Sequence, residues 1–304
     1  MKVLLTGAAG FVGSRVARVL AREGCEVHAW TRGDPRGRLE AVVHEVRVDA
    51  FDLSDTASLG TRVAELRPEL CIHCAWNAVP GEYLHSDENR AHLEIGLRLA
   101  DALVDAGCRR LVGIGTCFEY DTSVGVLSEE SPVNPATPYA ESKLALFRAL
   151  DERCADAGMS FAWARLFYLY GPGEHERRLV PSVILALLDG RAAQTTPGDQ
   201  LRDFLYVDDV AEALWGIARS GVAGPVNVGS GRAIAVRDVV LELARIVGRP
   251  ELVELGALPY PPGEPALVQA DVRRLVEECG WSPRFSLEQG LEASVRWWRD
   301  RRSP

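Results

Sequence analysis

Three evenly spaced glycines near the N-terminus constrain the fold of this chain more than any other feature. Gly7, Gly10 and Gly13 come directly after the apolar stretch Val3–Leu5 and directly before an amphipathic stretch that ends near Gly24. Glycine allows a tight turn and lets backbone N–H groups approach a pyrophosphate at the positive end of a helix. This strand–turn–helix context predicts a dinucleotide site. Its expected cofactor contacts are Gly7, Gly10, Phe11, Val12 and Gly13.

Short apolar stretches alternate with amphipathic ones over the first half of the chain. The strand candidates are Val3–Leu5, Glu26–Trp30, Val42–Val48, Leu70–Ala75, Leu111–Ile114 and Phe161–Leu166. The clearest later helix candidates are Leu93–Val104 and Ala140–Ala157. Apolar strands separated by helices are typical of a parallel sheet covered on both faces. The sequence therefore predicts an α/β fold with a Rossmann-type doubly wound parallel sheet. After Gly173, a composition rich in Pro, Gly and Arg predicts loops and short elements.

Composition argues against several classes of partner. The 304 residues carry a net charge of −9, which disfavours a surface that binds nucleic acid. No apolar run approaches the ~20 residues that span a bilayer, so no membrane partner is expected. The seven cysteines are scattered, and Cys71 and Cys74 lack a second pair to complete a zinc site, so no metal is expected. We interpret the thiols as reduced and the N-terminus as a strand rather than a secretion signal, which predicts a cytoplasmic protein.

A tyrosine and a lysine four residues apart form the candidate reacting centre. On a helix, Tyr139 and Lys143 project from one face. The phenol of an ordinary tyrosine has a pKa of ~10, and a nearby ammonium lowers that pKa because it favours the phenolate. Such a phenol can protonate an alkoxide or take a proton from a hydroxyl. Thr116, just after the predicted strand Leu111–Ile114, is the candidate hydroxyl that polarises the carbonyl.

The end of the second predicted strand bears on the choice of dinucleotide. An NAD site usually has an acidic residue there for the ribose 2′-hydroxyl, whereas this chain has Arg32, followed by Arg36 and Arg38. A guanidinium suits a 2′-phosphate, so NADP(H) is favoured over NAD(H), although Asp34 keeps both open. Asp52 and Leu53 suit the loop beside the adenine.

Taken together, these motifs resemble the extended short-chain dehydrogenases/reductases, in particular the branch that modifies nucleotide-activated sugars. The resemblance covers nearly the whole chain. Thr6–Gly13 matches the glycine motif, Tyr139–Lys143 matches the catalytic Tyr and Lys, and Thr116 lies four residues before Tyr120, where the family has its catalytic Ser or Thr. Further matches are Asn89 before the fourth helix, the loop of His73 and Ala75 near the cofactor, Arg165–Gly173, Arg202–Val210 and Asn227–Gly231.

The resemblance implies a second, smaller lobe that binds the nucleoside diphosphate. It suggests a dinucleotide domain over residues 1–167, with a returning segment at about 204–230, and a substrate lobe over residues 168–203 and 231–304. Arg202 and Arg237 would meet the phosphates, and Val180 would pack near the base. Trp76, Cys117 and Tyr168 are expected in the sugar pocket. Relatives commonly dimerise through the helices that correspond to 89–104 and 139–157, which predicts a homodimer.

Two departures from the family narrow the chemistry. Cys117 and Phe118 stand where the 4,6-dehydratases of the family carry the Asp and Glu that eliminate water, which argues against dehydration. Tyr168 stands where the family commonly has an Asn on the substrate diphosphate. The leading hypothesis is therefore NADPH-dependent reduction of the C4 keto group of a nucleotide-activated 4-keto-6-deoxyhexose. The alternative is an NAD-dependent nucleotide-sugar 4-epimerase, and a third hypothesis is a non-catalytic dinucleotide-binding relative.

Overall fold

The strands and helices come from a computed structural model that describes residues 1–33, 38–42 and 44–302. The strands, from β1 to β14, are Lys2–Thr6, Glu26–Thr31, Arg47–Ala50, Leu70–His73, Arg110–Thr116, Val126–Leu127, Ser160–Leu166, Tyr168–Tyr170, Ala193–Gln194, Leu201–Tyr206, Gly224–Val228, Ala233–Ala235, Val253–Glu254 and Leu267–Ala270. The α-helices, from α1 to α9, are Phe11–Arg22, Thr56–Leu66, Glu88–Asp105, Pro138–Ala157, Leu179–Leu188, Val207–Arg219, Val236–Val247, Arg273–Cys279 and Leu287–Asp300.

The central sheet has seven strands over the described residues, in the order β11-β7-β5-β4-β1-β2-β3. All of its pairings are parallel. The chain starts at β1, builds β2 and β3 on one side, and then returns to build β4, β5, β7 and β11 on the other. The direction of winding therefore reverses between β1 and β4, where a cleft opens at the carboxyl ends of the strands. This is the Rossmann-type doubly wound sheet that the sequence predicts.

Helices cover both faces of this sheet, which is why its inner strands are mostly apolar. Val3 and Leu5 pack into one apolar cluster with residues of α1 and α6. Leu4, which points to the opposite face, packs into a second cluster with residues of α2, α3 and α4. No helix in the described part of the chain combines the length and the apolar character that a membrane span needs.

A second, smaller sheet lies in the C-terminal part of the chain. Its order is β12-β10-β14-β6, and β8 also pairs with β10. Residues of α5, α7 and α9 form a separate apolar cluster against this part of the molecule. The short strand β6 belongs to the first 167 residues but pairs with β14 of the second sheet. The division into residues 1–167 with 204–230, and 168–203 with 231–304, stays a prediction.

Two local predictions are wrong. The strand expected over Val42–Val48 begins only at Arg47. Val42 ends a 3-10 turn and Val46 lies in the bend that follows it, and both side chains are buried without being part of a strand. The region beyond Gly173, expected to hold loops and short elements, contains the five helices α5 to α9. Two of the glycines there mark helix ends, since Gly248 and Gly280 end α7 and α8 in the left-handed conformation.

Candidate active site

The glycine turn joins β1 to α1 at the switch point of the sheet. Gly7 has a φ of 66°, and its carbonyl accepts a hydrogen bond from the Gly10 N–H at 2.9 Å. A Cβ on Gly13 would lie 2.2 Å from the Gly7 oxygen, and one on Gly7 would lie 2.7 Å from the Ala75 backbone. Only glycine fits these positions, and the N-terminus of α1 begins directly behind the turn at Phe11.

A cavity of about 660 Å³ runs from this turn to the second sheet. The five residues predicted from the glycine motif all line it, as do the three predicted catalytic residues Thr116, Tyr139 and Lys143. The structure therefore brings together two motifs that lie more than a hundred residues apart in the chain. A carbonyl bound in this cavity could reach the phenol and a dinucleotide at the same time.

Helix α4 carries two of the three predicted catalytic side chains. Thr137 caps its N-terminus by accepting a hydrogen bond from the Ala140 N–H at 3.3 Å, and Pro138 occupies the first helical turn. Tyr139 and Lys143 then lie one turn apart on the face toward β5. Thr116, at the carboxyl end of β5, lies close enough to the Tyr139 phenol to influence its pKa, and its Oγ1 accepts a hydrogen bond from the Phe118 N–H at 3.3 Å.

Lys143 is buried, with 4% of its surface exposed. Its Nζ donates a hydrogen bond to the Ile114 carbonyl at 2.8 Å and lies 3.7 Å from the centre of the Trp76 ring. Burial lowers the pKa of this ammonium from 10.5 to about 7, and Glu119 and Cys74 oppose that effect. Burial also raises the pKa of Tyr139, with Tyr83 adding to the rise and the Thr116 side chain opposing it.

Trp76, predicted as a sugar contact, packs chiefly over Lys143 while also lining the cavity. Its indole Nε1 donates a hydrogen bond to the Asn89 Oδ1 at 3.0 Å, and its ring stacks on His92 at 5.1 Å. Asn89, where the sequence matched the family, also donates to the Tyr83 carbonyl at 2.6 Å. The Tyr83 ring meets Tyr139 edge-on at 4.8 Å. These contacts build the wall that holds the phenol in place.

The remaining predicted cofactor residues lie outside the cavity lining. His73 is buried, its Nδ1 is 2.7 Å from the Thr6 Oγ1, and burial lowers its pKa to about 3, so it stays neutral. Ala75 packs by its backbone against Gly7. Leu53 is buried in the apolar cluster that contains Trp30.

Arg32 lies on the surface just after β2, close to Asp52. The pKa of Asp52 is lowered by its hydrogen bonds with Ser54 and, to a smaller extent, by the charge of Arg32. Arg38 donates to the carbonyls of Ala9 and Gly173, at 3.3 and 2.9 Å, so its guanidinium anchors backbone. Asp34 and Arg36 lie outside the described residues.

Arg202 is the predicted phosphate contact that does line the cavity. It is 2% exposed, pairs with Glu264, and donates to the carbonyls of Leu201 and Pro265 at 2.8 and 2.7 Å. Its guanidinium lies 5.5 Å from the ring centre of Tyr168. The predicted substrate contacts that also line the cavity are Cys117, Tyr168 and Val180.

The structure does not bring Arg237 into the cavity. Its backbone packs against Gly198 at the start of α7, and its side chain is half exposed and paired with Asp199. The ion pair draws the guanidinium toward the surface. The prediction that it meets a phosphate is therefore not supported by its position.

Two buried carboxyl groups escaped the sequence analysis. Glu119 is fully buried and binds Arg165. Glu174 lines the cavity, and its Oε2 has no hydrogen-bond partner within the described part of the molecule. Burial raises the pKa of Glu174 to about 8, opposed by Arg178 and a hydrogen bond with Gly171. For Glu119, the only local signal is its place between Phe118 and Tyr120 directly after a buried strand.

The class of protein follows from the fold and from the position of its cavity. A parallel sheet that reverses at β1, with a glycine turn and a cavity at that point, defines a Rossmann-type α/β protein. Residues 3–229 match the model of the NAD dependent epimerase/dehydratase family. The chain belongs to this family.

Named relatives match over nearly the full length of this chain. A UDP-glucose 4-epimerase of Mycolicibacterium smegmatis is 31% identical over 99% of this chain and 99% of the relative. A probable dTDP-glucose 4,6-dehydratase of Sinorhizobium fredii is 26% identical over 98% and 93%. The structure of MoeE5 in complex with UDP-glucuronic acid and NAD is 31% identical, with a TM-score of 0.85 and coverage of 99% and 100%.

These comparisons favour one of the sequence hypotheses over another. Membership of the nucleotide-sugar epimerase/dehydratase family is shown, whereas 4-ketoreductase specificity is not. The names of the relatives agree better with the 4-epimerase alternative than with the leading hypothesis. The preference for NADP(H) is not supported either, because the solved relative contains NAD.

Proposed function

We propose that this chain is an NAD-dependent 4-epimerase of a nucleotide-activated hexose. The observation that supports this most directly is that Thr116, Tyr139 and Lys143 line the same cavity as the glycine turn, with Tyr139 and Lys143 one helical turn apart. Two relatives point the same way: one carries the name UDP-glucose 4-epimerase, and the other is described in complex with UDP-glucuronic acid and NAD.

The glycine turn fits a dinucleotide. Because Gly7 and Gly13 leave no room for a side chain, the N–H groups at the start of α1 remain open to a pyrophosphate. The backbone from Gly7 to Gly13 is therefore the proposed pyrophosphate contact. When bound, the nicotinamide ring supplies the acceptor and donor of hydride.

Tyr139 is the proposed base and acid. It takes the proton of the C4 hydroxyl as the hydride leaves C4, which converts the carbinol into a ketone. It gives the proton back to the same oxygen when the hydride returns from the opposite face, so only the configuration at C4 changes. The Thr116 hydroxyl donates a hydrogen bond to that oxygen. The Lys143 ammonium, with its pKa near 7, stabilises the phenolate by its charge.

Arg202 is the proposed anchor for the substrate diphosphate. A guanidinium binds phosphate oxygens with two parallel hydrogen bonds, and its ion pair with Glu264 holds it in orientation. Trp76, Cys117, Tyr168 and Val180 remain candidate contacts for the sugar and base. The homodimer, the cytoplasmic location and the two-part domain division stay predictions.

NADPH-dependent C4 reduction is the second candidate, and the end of β2 favours it. The last residue of β2 is Thr31, not the acidic residue that usually binds the ribose 2′-hydroxyl of NAD. The Thr31 hydroxyl donates a hydrogen bond to the Gly33 carbonyl at 2.9 Å, and the next residue is the exposed Arg32. Arg32 would accept a 2′-phosphate more readily than an acidic residue would. A non-catalytic relative is disfavoured, because the three groups needed for proton transfer meet in one cavity.

The test is to incubate the purified protein with UDP-, dTDP- and CDP-hexoses and NAD, and to follow the C4 epimer by proton NMR. The matched control is Tyr139→Phe, which keeps the aromatic ring and removes the hydroxyl that would transfer the proton. We expect a C4 epimer from at least one sugar, and a loss of about a hundredfold or more in the control. In a parallel reaction the protein is incubated with a nucleotide-activated 4-keto sugar and NADPH, and the oxidation of NADPH is followed.

Oxidation of NADPH without any epimer would replace the proposal by the reductase. Absence of both reactions, with tight dinucleotide binding, would leave the non-catalytic relative.

A further inference from the structure

A buried ion pair lies directly behind the catalytic threonine. Glu119 ends the 3-10 turn Cys117–Glu119 that follows β5, and it is paired with Arg165 of β7 at 2.7 Å. The two side chains are 0% and 2% exposed. Burying two charges is costly unless every polar atom is bound, so such a pair calls for a functional explanation.

The Glu119 carboxylate is fully hydrogen-bonded. Its Oε1 accepts from the Thr116 N–H at 2.8 Å, and both oxygens accept from the Trp163 Nε1, at 3.0 and 3.1 Å. The Arg165 Nε donates to the Oε2. Glycine makes the space for this arrangement, because a Cβ on Gly115 would lie 2.2 Å from the Trp163 Nε1. The carboxylate thus fixes the backbone of Thr116.

The Lys143 ammonium also contacts this end of β5. It binds the carbonyl of Ile114, two residues before Thr116, and lies 5.9 Å from the centre of the Trp163 ring. No carboxylate forms an ion pair with Lys143 in the described part of the chain. The Arg165 guanidinium, which pairs with Glu119, lies 4.4 Å from the centre of the Tyr120 ring. Glu119 and Lys143 thus both approach the Trp163 indole, and the charges of two buried groups near each other interact more strongly than they would in water.

We propose that Glu119 is the buried counter-charge of Lys143, a positioning residue that keeps the ammonium protonated next to Tyr139. The inference deepens the proposed function, because its catalytic meaning rests on the roles of Tyr139 and Lys143 there. The other titratable groups around Lys143 are the neutral His73, Cys74, His92 and Tyr139. Because these four groups are neutral, Glu119 supplies the negative charge near Lys143. Removing that negative charge favours the deprotonated amine of Lys143.

The lysine content of the chain makes a direct test possible. Lys2 and Lys143 are its only lysines. Protein labelled with carbon-13 at the lysine ε position therefore has two lysine signals, which a Lys2→Arg variant assigns. Titration of these signals measures the pKa of Lys143 without any substrate or turnover. The variants are Glu119→Gln, which keeps shape and removes charge, and Glu129→Gln as a matched control.

Glu129 is a suitable control because its carboxylate also accepts a backbone hydrogen bond, from the Asn227 N–H at 2.8 Å. We expect Glu119→Gln to lower the pKa of Lys143 by on the order of one unit, with Lys2 unmoved. Glu129→Gln should leave both signals at their wild-type midpoints. The alkaline limb of the pH–rate profile for epimerisation should move to lower pH, together with the titration midpoint of the Lys143 signal.

The double variant Glu119→Gln with Arg165→Met covers the case in which the single variant folds poorly. It removes the guanidinium that would otherwise be left buried and unpaired. Stability should recover in this double variant, while the Lys143 midpoint stays below that of the wild type. A Lys143 midpoint equal to the wild-type value in both Glu119 variants would overturn the inference. Protein that shows the shift but epimerises no sugar would contradict only the proposed function.

Discussion

Replacing Lys143 by methionine should make the protein more stable at neutral pH while removing its activity. The reason is the burial of the ammonium, which lowers its pKa from 10.5 to about 7 in the folded state. The unfolded chain holds this proton more tightly than the folded chain does. Folding therefore becomes less favourable wherever Lys143 is charged in the unfolded state.

The magnitude follows from the shift. One pKa unit corresponds to about 1.4 kcal/mol, so the shift from 10.5 to about 7 costs about 5 kcal/mol of stability below pH 7. Methionine removes this cost but leaves the Ile114 carbonyl without its donor, at a cost of about 1–3 kcal/mol. We therefore expect the variant to be more stable than the wild type by about 2–4 kcal/mol near pH 6.

The sign of the pH dependence is equally specific. Between the folded pKa of about 7 and the unfolded 10.5, the unfolded state binds more protons, so wild-type stability rises with pH. The advantage of methionine should shrink by about 1.4 kcal/mol per pH unit over this window and vanish about 1.5–3 units above pH 7. At the upper end of the window the variant should be the less stable protein, because only the cost of the unpaired Ile114 carbonyl remains.

Urea unfolding of both proteins across this pH range is the assay. Lys2→Met is the matched control, because the Lys2 ammonium also donates to a backbone carbonyl, that of Leu66 at 3.1 Å, but is only partly buried. This control should show no comparable gain. A Lys143→Met protein that is less stable at every pH, or whose difference from the wild type does not change with pH, would refute the reasoning.

Two further predictions concern the cavity. Gly13→Ala should abolish NAD binding in a fluorescence titration, because the added Cβ would lie 2.2 Å from the Gly7 oxygen. The control Gly60→Ala adds a Cβ in open space on α2, so it should bind NAD normally and gain about 1 kcal/mol of stability. Equal binding by both variants would contradict this prediction. Glu174→Gln should raise the KM for the nucleotide sugar by roughly tenfold with little change in kcat, because the unpartnered carboxyl lines the cavity. An unchanged KM in initial-rate measurements would show that Glu174 does not meet the substrate.

Short-range rules made the core of the candidate site predictable. The glycine spacing requires a turn, and the four-residue interval between Tyr139 and Lys143 matches one helical turn, so both follow from local backbone geometry. Thr116 was predictable because it ends an apolar strand. The same rules failed beyond Gly173, where proline and glycine occur at the ends of helices and also within them, and where tertiary packing buries the apolar faces of these helices.

Isolated charged residues carried the least information in the sequence. Nothing in the sequence around Glu119, Glu174 and Arg237 distinguishes a buried charge from an exposed one. Glu119 and Glu174 are nevertheless buried, whereas Arg237 is half exposed and forms an ion pair. Glu119 is buried because Trp163 and Arg165, 44 and 46 residues later, bring donors to it from the neighbouring strand. Such partners cannot be identified before the register of β5 and β7 is known.

The sequence by itself determined the glycine turn and the pairing of Tyr139 with Lys143, since each depends on backbone geometry within a few residues. It also determined the doubly wound sheet, because apolar strands that alternate with helices favour a parallel sheet covered on both faces. Only the tertiary structure decided which charges are buried and which of them line the cavity. The physical reason is that desolvation depends on groups that are distant in the chain. The protonation of Lys143, on which the proposed chemistry depends, is therefore a property of the folded molecule.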